Sequence, residues 1–324
     1  VTRTIEGQTI VVTGGAGFIG SHLVDRLLAE GAARVIAVDN LFVGDESNLD
    51  QALATGRVEF YRDDIEFASS LEYIFGNHKV DSVFNCATKA LNYSFLNPSN
   101  AFATNVTGVL NLLELQRRGA FGTLCHFSTS EVYGSAVYEP MDEAHPRNPT
   151  TTYAAGKAAA DLAVESYVRM FDVDAMIVRP FNNYGPRQNH RGMMAGVIPL
   201  TAWRLHQGIT PEIHGSGEQS RDFIHVADTV DAVIKLFPRL AAGENVNIST
   251  DNQISIADLI HRICAHAGYR GEILRKEARK SDVLCHNASN ARVRELIDYQ
   301  LTPFDDGLPS TLDWYFDRWK GQAA

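Results

Sequence analysis

Apolar positions along the chain follow two alternating rhythms. Short runs rich in Val, Ile and Phe, namely QTIVVTG, RVIAVDN, VEFYRDD, DSVFNCAT, TLCHFST and DAMIVRP, each end in small or polar residues and read as strands. Between several of them lie amphipathic stretches such as Ser21 to Glu30, where Leu23, Val24, Leu27 and Leu28 share one face and Gly31 supplies the stop. Strands alternating with helices predict an α/β fold built on a parallel sheet covered on both faces. After about Asn183 the order loosens. Gly and Pro punctuate YGPRQNHRG and HGSGEQ, and the elements that follow are shorter, which predicts a smaller second lobe. No internal repeat, low-complexity tract or linker intervenes, so the lobes are expected to pack closely.

Composition narrows the classes of partner. The chain has 324 residues, 45% of them hydrophobic, enough to bury a large core. Its formal charge of −10 argues against nucleic acid, whose binders need a basic face. An anionic ligand must therefore meet locally placed arginines. Cys86, Cys125, Cys264 and Cys285 lack CxxC spacing, and the first three lie in apolar stretches; they read as reduced core thiols. No window reaches the roughly 18 apolar residues of a membrane span. The N-terminus runs directly into a strand without a signal-like region, so the cytoplasm is the expected location. The histidines are scattered without metal-ligand spacing, and no metal is expected. His126 reads as a core residue and His225 as structural.

TGGAGFIG carries Gly14, Gly17 and Gly20 between a strand and a helix. Glycine permits the tight turn and lets the backbone approach a pyrophosphate at the helix N-terminus. The next strand ends in Asp39, nineteen residues after Gly20, where a carboxylate can accept from the adenosine ribose hydroxyls. An Asp there repels a ribose phosphate, and the following residue is Asn40 rather than Arg, so NAD is expected rather than NADP. Asp64 in YRDDI either bonds the adenine amino group or is a solvated turn carboxylate. These features make the expected fold a doubly wound sheet of Rossmann type. Its NAD-binding domain should span residues 1–182, with a return at about 221–250, and the substrate lobe mainly 183–324. Cofactor contacts are expected at Gly14, Gly17, Phe18, Ile19, Gly20, Asp39, Asn40, Asp64 and Ile65.

Tyr153 and Lys157 are four residues apart in YAAGKAAADLAVESYV, so on a helix they share one face. An ammonium beside a phenol lowers the tyrosine pKa from about 10 towards neutrality. Tyr153 is then a proton acceptor for an alcohol being oxidised.

In TGGAGFIG, STSEVYG followed by YAAGK, RPFNNYGPRQ, and GSGEQSRDFIHVADTVDAV, the chain resembles the extended short-chain dehydrogenases/reductases, specifically the nucleotide-sugar epimerases and dehydratases. The resemblance covers nearly the whole length. It implies a hydroxyl, tyrosine and lysine triad of Thr129, Tyr153 and Lys157, with Thr129 bonding the sugar O4 and Lys157 also holding the nicotinamide ribose. It implies substrate-diphosphate contacts from Asn182 and Arg221, and a homodimer formed through the helix that bears Tyr153 and Lys157. Arg279 stands where the family often has Arg-Pro-Gly-Asp, but the text here is ARKSD, which leaves open a nucleotide-side role for Arg279 and Asp282. Arg187 and Arg191 divide between ligand contacts and surface salt bridges, with Arg187 slightly better placed. NCATKALNYSF departs from the family's His-Leu-Ala-Ala opening; Lys89, Asn92 and Ser94 either shape the sugar pocket or pack a loop.

Glu131 either anchors its loop or separates the reactions open to such a chain. A C4 epimerase needs only to rotate a 4-keto sugar and return the hydride. A 4,6-dehydratase must also remove the C5 proton and expel the C6 hydroxyl, which requires a base beside the triad hydroxyl. Family dehydratases often read Thr-Asp-Glu at this position; Thr129, Ser130 and Glu131 match the Thr-Ser-Glu of others, in which one Glu serves both steps. Nucleotide-glucuronate decarboxylases share that text. The reading is an NAD-dependent nucleotide-sugar 4,6-dehydratase. Its alternatives are a C4 epimerase, a decarboxylase or a non-catalytic NAD-binding sensor.

Overall fold

The computed structural model describes residues 3–278 and 287–321. The first half alternates strand and helix: β1 (Thr9–Thr13), α1 (Phe18–Ala29), β2 (Arg34–Val38), the short α2 (Asp50–Leu53), β3 (Val58–Tyr61), α3 (Ala68–Asn77), β4 (Ser82–Asn85), α4 (Pro98–Arg117), β5 (Thr123–Phe127), α5 (Thr152–Phe171) and β6 (Asp174–Pro180). The second half holds β7 (Asn182–Tyr184), α6 (Val197–His206), β8 (Glu212–His214), β9 (Ser220–Arg221), β10 (Phe223–His225), α7 (Val226–Leu236) and β11 (Asn245–Ile248). It ends with β12 (Ile254–Ser255), α8 (Ile256–His266), β13 (Leu274–Lys276), α9 (Ala291–Leu296) and α10 (Phe304–Trp319).

Seven strands form one sheet in the order β11-β6-β5-β4-β1-β2-β3, all paired in parallel. Val11 and Val83 are fully buried, as strands covered on both faces require. Ile10, Leu23, Leu27, Val230 and Val233 belong to the core on one face, whereas Val11, Ile36, Leu112, Leu113 and Val164 belong to the core on the other. The late strand β11 pairs with β6, and α7 packs on α1, so these two later elements return to the large sheet and its covering helices. A third core joins Tyr184, Ile198, Leu259, Ile263, Leu312 and Trp319 in the C-terminal lobe.

Strand order reverses between β1 and β4. In a doubly wound sheet the crevice opens at the carboxyl ends of strands at such a switch point. Thr13, Asn85 and Phe127 end β1, β4 and β5 there, and the peptides that follow them carry the residues described next.

Candidate active site

A cavity of about 590 Å³ opens over this switch point and runs from Gly14, Asp39 and Asp64 past Tyr153 to Arg221 and Ile260. At its nucleotide end the glycines have separate physical roles. Gly14 has φ +66°, and a Cβ there would lie 2.8 Å from the Ala87 amide nitrogen. A Cβ at Gly20 would lie 2.0 Å from the Gly14 carbonyl oxygen, so only glycine lets the first turn of α1 close on the loop. Gly17 caps α1 without a side-chain hydrogen bond, and no acidic residue occupies the first turn. That helix end suits an anion.

Asp39 is buried on the cavity wall, where its two oxygens accept from the Ala16 amide at 3.1 Å and the Leu41 amide at 2.8 Å. Burial pushes its carboxyl above the usual range, while the amides of Leu41, Ala16 and Gly17 oppose that rise. A carboxylate has roughly four lone-pair sites, so it retains capacity for a ribose hydroxyl. Asn40 Nδ2 donates to Asp64 Oδ2 at 2.6 Å. Phe18, Ile19, Asn40, Asp64 and Ile65 line the same end. The glycine cradle, the uncapped helix and the buried Asp39 together fit NAD.

The chemical centre is assembled from strand ends and one helix. Thr129 follows β5 and caps the 3₁₀ turn Ser130–Tyr133, with its Oγ1 accepting from the Glu131 amide at 3.3 Å. Thr151 caps α5 by accepting from the Ala154 amide at 3.2 Å, which fixes the helix start next to Tyr153. The Tyr153 phenol has the hydroxyls of Thr129 and Thr88 as its polar neighbours on the cavity wall. Lys157, one turn on, is 2% exposed and donates from Nζ to the Phe127 carbonyl at 2.8 Å. Beneath it Asp161 accepts from Ser128 at 2.9 Å and from Arg179 at 3.0 Å.

The sequence predicted that Lys157 would lower the Tyr153 pKa. In the protein by itself this does not hold. Burial pushes the phenol up to about 12, and the Glu131 charge adds to the rise. The ammonium is directed at the Phe127 carbonyl instead, and burial lowers its own pKa to about 8 against the pull of Asp161. The helix does place both side chains on one face, but what each faces was set by the strand ends across from it.

Thr129, Tyr153 and Lys157 line the cavity together with Lys89, Asn182 and Arg221. Glu131 does not line it, although its charge reaches the phenol. Lys89 is 7% exposed, with Nζ 4.0 Å from the centre of the Phe42 ring. Asn92 also lines the wall and donates to the Ala195 carbonyl at 3.4 Å. Asn182 Nδ2 donates to the Asp222 carbonyl at 3.4 Å, and Arg221 Nη1 to the Ser220 carbonyl at 2.8 Å.

Two expected contacts are turned elsewhere. Ser94 donates to the Leu91 carbonyl at 2.6 Å within its own 3₁₀ turn and does not line the cavity. Arg187, at φ +66°, pairs with Asp25 of α1 at 2.7 Å and is likewise off the wall. Arg279 and Asp282 lie outside the described residues. His126 is fully buried, with Nδ1 3.1 Å from Asn85 Nδ2, and His225 caps α7 by accepting from the Ala227 amide at 3.3 Å. Sequence reasoning missed Thr88, and at the far end of the wall Arg204, Glu212 and Gln219. Thr88 had one signal: it lies just past the end of β4, on the ligand side of the sheet.

Residues 10–249 match the family model of the NAD dependent epimerase/dehydratase family. A UDP-glucose 4-epimerase of Mycolicibacterium smegmatis is 33% identical over 95% of this chain and 98% of its own length. A dTDP-glucose 4,6-dehydratase of an Actinoplanes species is 31% identical over 94% and 97%. The crystal structure of a dTDP-glucose 4,6-dehydratase from Streptomyces venezuelae with NAD bound superposes with a TM-score of 0.91 at 31% identity, covering 96% of this chain and 98% of that one. NAD is the cofactor of this fold and site. The glycine loop, the buried Asp39 and the Thr129, Tyr153 and Lys157 cluster thus stand in a chain that belongs to the NAD-dependent epimerase/dehydratase family of nucleotide-sugar enzymes.

Proposed function

We propose that the protein is a nucleotide-sugar 4,6-dehydratase, and the observation that carries this reading is Glu131 in the 3₁₀ turn that Thr129 caps, its amide bonded to the Thr129 hydroxyl at 3.3 Å. NAD, when bound, supplies the hydride acceptor and later the hydride donor. Thr129 holds the sugar O4 and Tyr153 takes its proton, giving a 4-keto sugar. Glu131 removes the C5 proton, which the ketone has acidified, and returns a proton to the departing C6 hydroxyl. Lys157 holds the nicotinamide ribose. Asn182 and Arg221 bind the diphosphate, a role that suits a guanidinium in an acidic chain. Lys89, buried over an aromatic ring without a carboxylate partner among the described residues, contributes a further cation to the substrate.

Incubation with UDP-, GDP- and dTDP-hexoses and the uronic acid, followed by mass spectrometry in deuterated solvent, tests the reading. Loss of water with deuterium at C5 is the expected result. Loss of carbon dioxide identifies a decarboxylase instead, and no change a sensor. Unchanged mass with a new stereoisomer identifies a C4 epimerase, the second reading, which the M. smegmatis relative favours. Glu131→Gln should lower dehydration by about 10²-fold or more yet still allow oxidation at C4. Equal loss of both activities would remove Glu131 from the elimination step.

The protein is also proposed to be a homodimer through α4 and α5. Phe102, Leu110 and Leu162 on these helices are 39%, 37% and 51% exposed, an apolar face of the kind that marks an interface. Leu162→Glu should shift sedimentation from dimer to monomer at micromolar concentration, and an unchanged sedimentation coefficient would exclude this face.

A further inference from the structure

We propose that Thr88, which Asn105 links to the Tyr153 backbone and which shares the cavity wall with the phenol, is a positioning residue for Tyr153, a second hydroxyl for the phenol beside Thr129. The inference rests on Tyr153 being the proton acceptor. Thr88 Oγ1 donates to Asn105 Oδ1 at 2.7 Å, and its other acceptor, the Lys89 carbonyl, is farther away at 3.1 Å. Asn105 is 2% exposed and its Nδ2 donates to the Tyr153 carbonyl at 3.4 Å. One amide on α4 therefore clamps both the hydroxyl and the backbone of the residue that carries the phenol. The clamp depends on close helix packing: a Cβ at Gly156 would lie 2.9 Å from the Phe102 carbonyl oxygen and 3.2 Å from Asn105 Cβ.

The two hydroxyls beside the phenol are assigned different work. Thr129 stands at the end of β5, where the proposed reaction engages it with the sugar. Thr88 stands past the end of β4 and has a fixed partner behind it. A threonine has a single hydroxyl proton and two lone pairs. While that proton points at Asn105, Thr88 offers the neutral phenol a lone pair, so the phenol proton is directed at Thr88. When the phenol ionises, the Thr88 O–H turns to the phenolate, and Asn105 Oδ1 loses one donor. No proton leaves Thr88 in either state. A hydrogen bond to an ionised acceptor is stronger than one between neutral groups, so the exchange favours phenolate on balance. It works against the burial and the Glu131 charge that both oppose ionisation.

The test compares Thr88→Val, Thr88→Ala and Thr88→Ser in the full chain with NAD, using whichever nucleotide sugar the protein turns over. Readouts are kcat and kcat/KM against pH, an ultraviolet difference titration of the phenol, and NAD affinity with circular dichroism as the check on folding. Loss of the hydroxyl should move the acidic limb and the phenol titration up by about one pH unit, the equivalent of about tenfold in ionisation, with NAD affinity changed by less than about threefold. Thr88→Ser should restore the limb. If the folded Val or Ala variant kept the limb in place, or if Ser were as impaired as Val, the proposal would be overturned. Turnover by Tyr153→Phe at the parent rate would instead overturn the underlying reading, so the two failures are distinguishable.

Discussion

Tyr153→Phe is expected to lower kcat by about 10³-fold, within the range for loss of a positioned proton acceptor, while NAD affinity changes by no more than about threefold. The substitution removes one oxygen and keeps the ring that lines the cavity. What is lost is the phenol hydroxyl that neighbours the Thr129 and Thr88 side chains. Neither threonine can substitute, because an aliphatic hydroxyl is a far weaker acid and holds no phenolate-like charge at neutral pH. The same measurement locates the ionisation. Since the phenol stands at about 12 in the protein by itself and Lys157 at about 8, raising the pH works in opposite directions on the two groups: it favours phenolate but removes the ammonium charge above about 8. A decline in parent turnover above about pH 8 is expected where the Lys157 ammonium governs the step, and a continued rise where phenolate formation does. A parent-like kcat in Tyr153→Phe, measured on a substrate of the native protein, would end the case for this residue.

Gly20→Ala should have the largest effect on folding and on the cofactor together. The new methyl would meet the Gly14 carbonyl oxygen at 2.0 Å and its carbon at 2.8 Å. These are backbone atoms, not the free end of a flexible side chain, so relief requires the loop or the first turn of α1 to move. Overpacking of this kind costs about 3 kcal/mol or more. The displaced segment is the one that presents helix amides to a pyrophosphate, so NAD affinity should fall by at least about 10²-fold. Calorimetric titration with NAD and thermal denaturation measure the two effects. If the Gly20→Ala protein bound NAD within about threefold of the parent, the close approach would not be needed. Gly76 offers the contrast, since a Cβ there meets nothing within 4 Å.

The legible parts of the molecule were those in which one local pattern has one physical cause. The alternating apolar rhythm predicts a parallel sheet because strands buried on both faces must be apolar throughout, and β1, β2, β4 and β5 come close to that condition. Gly14 and Gly20 were readable because a backbone amide or carbonyl occupies the space a Cβ would need. Asp39 was readable because it ends the strand after the glycine turn. Tyr153 and Lys157 were readable as a pair because helical spacing alone aligns them.

Contacts between segments distant in sequence required the tertiary structure. That Lys157 turns to the Phe127 carbonyl depends on where β5 ends, thirty residues earlier, and that contact, with burial, is why the phenol is not acidified as its spacing suggested. Arg187 was a fair candidate in GPRQ, but the approach of α1 brings Asp25 within 2.7 Å and fixes it off the wall. Ser94 closes its own turn, a choice between local and ligand hydrogen bonds that a hydroxyl makes according to its backbone. Thr88 and Asn105 meet Tyr153 only because α4 and α5 pack closely at Gly156. The sequence by itself determined the fold class, the cofactor and the set of side chains available for chemistry, since these follow from periodicity and from residue type at short range. The tertiary structure decided which partner each of those side chains faces, because hydrogen-bond geometry and burial are set by strand ends and helices that are far apart along the chain.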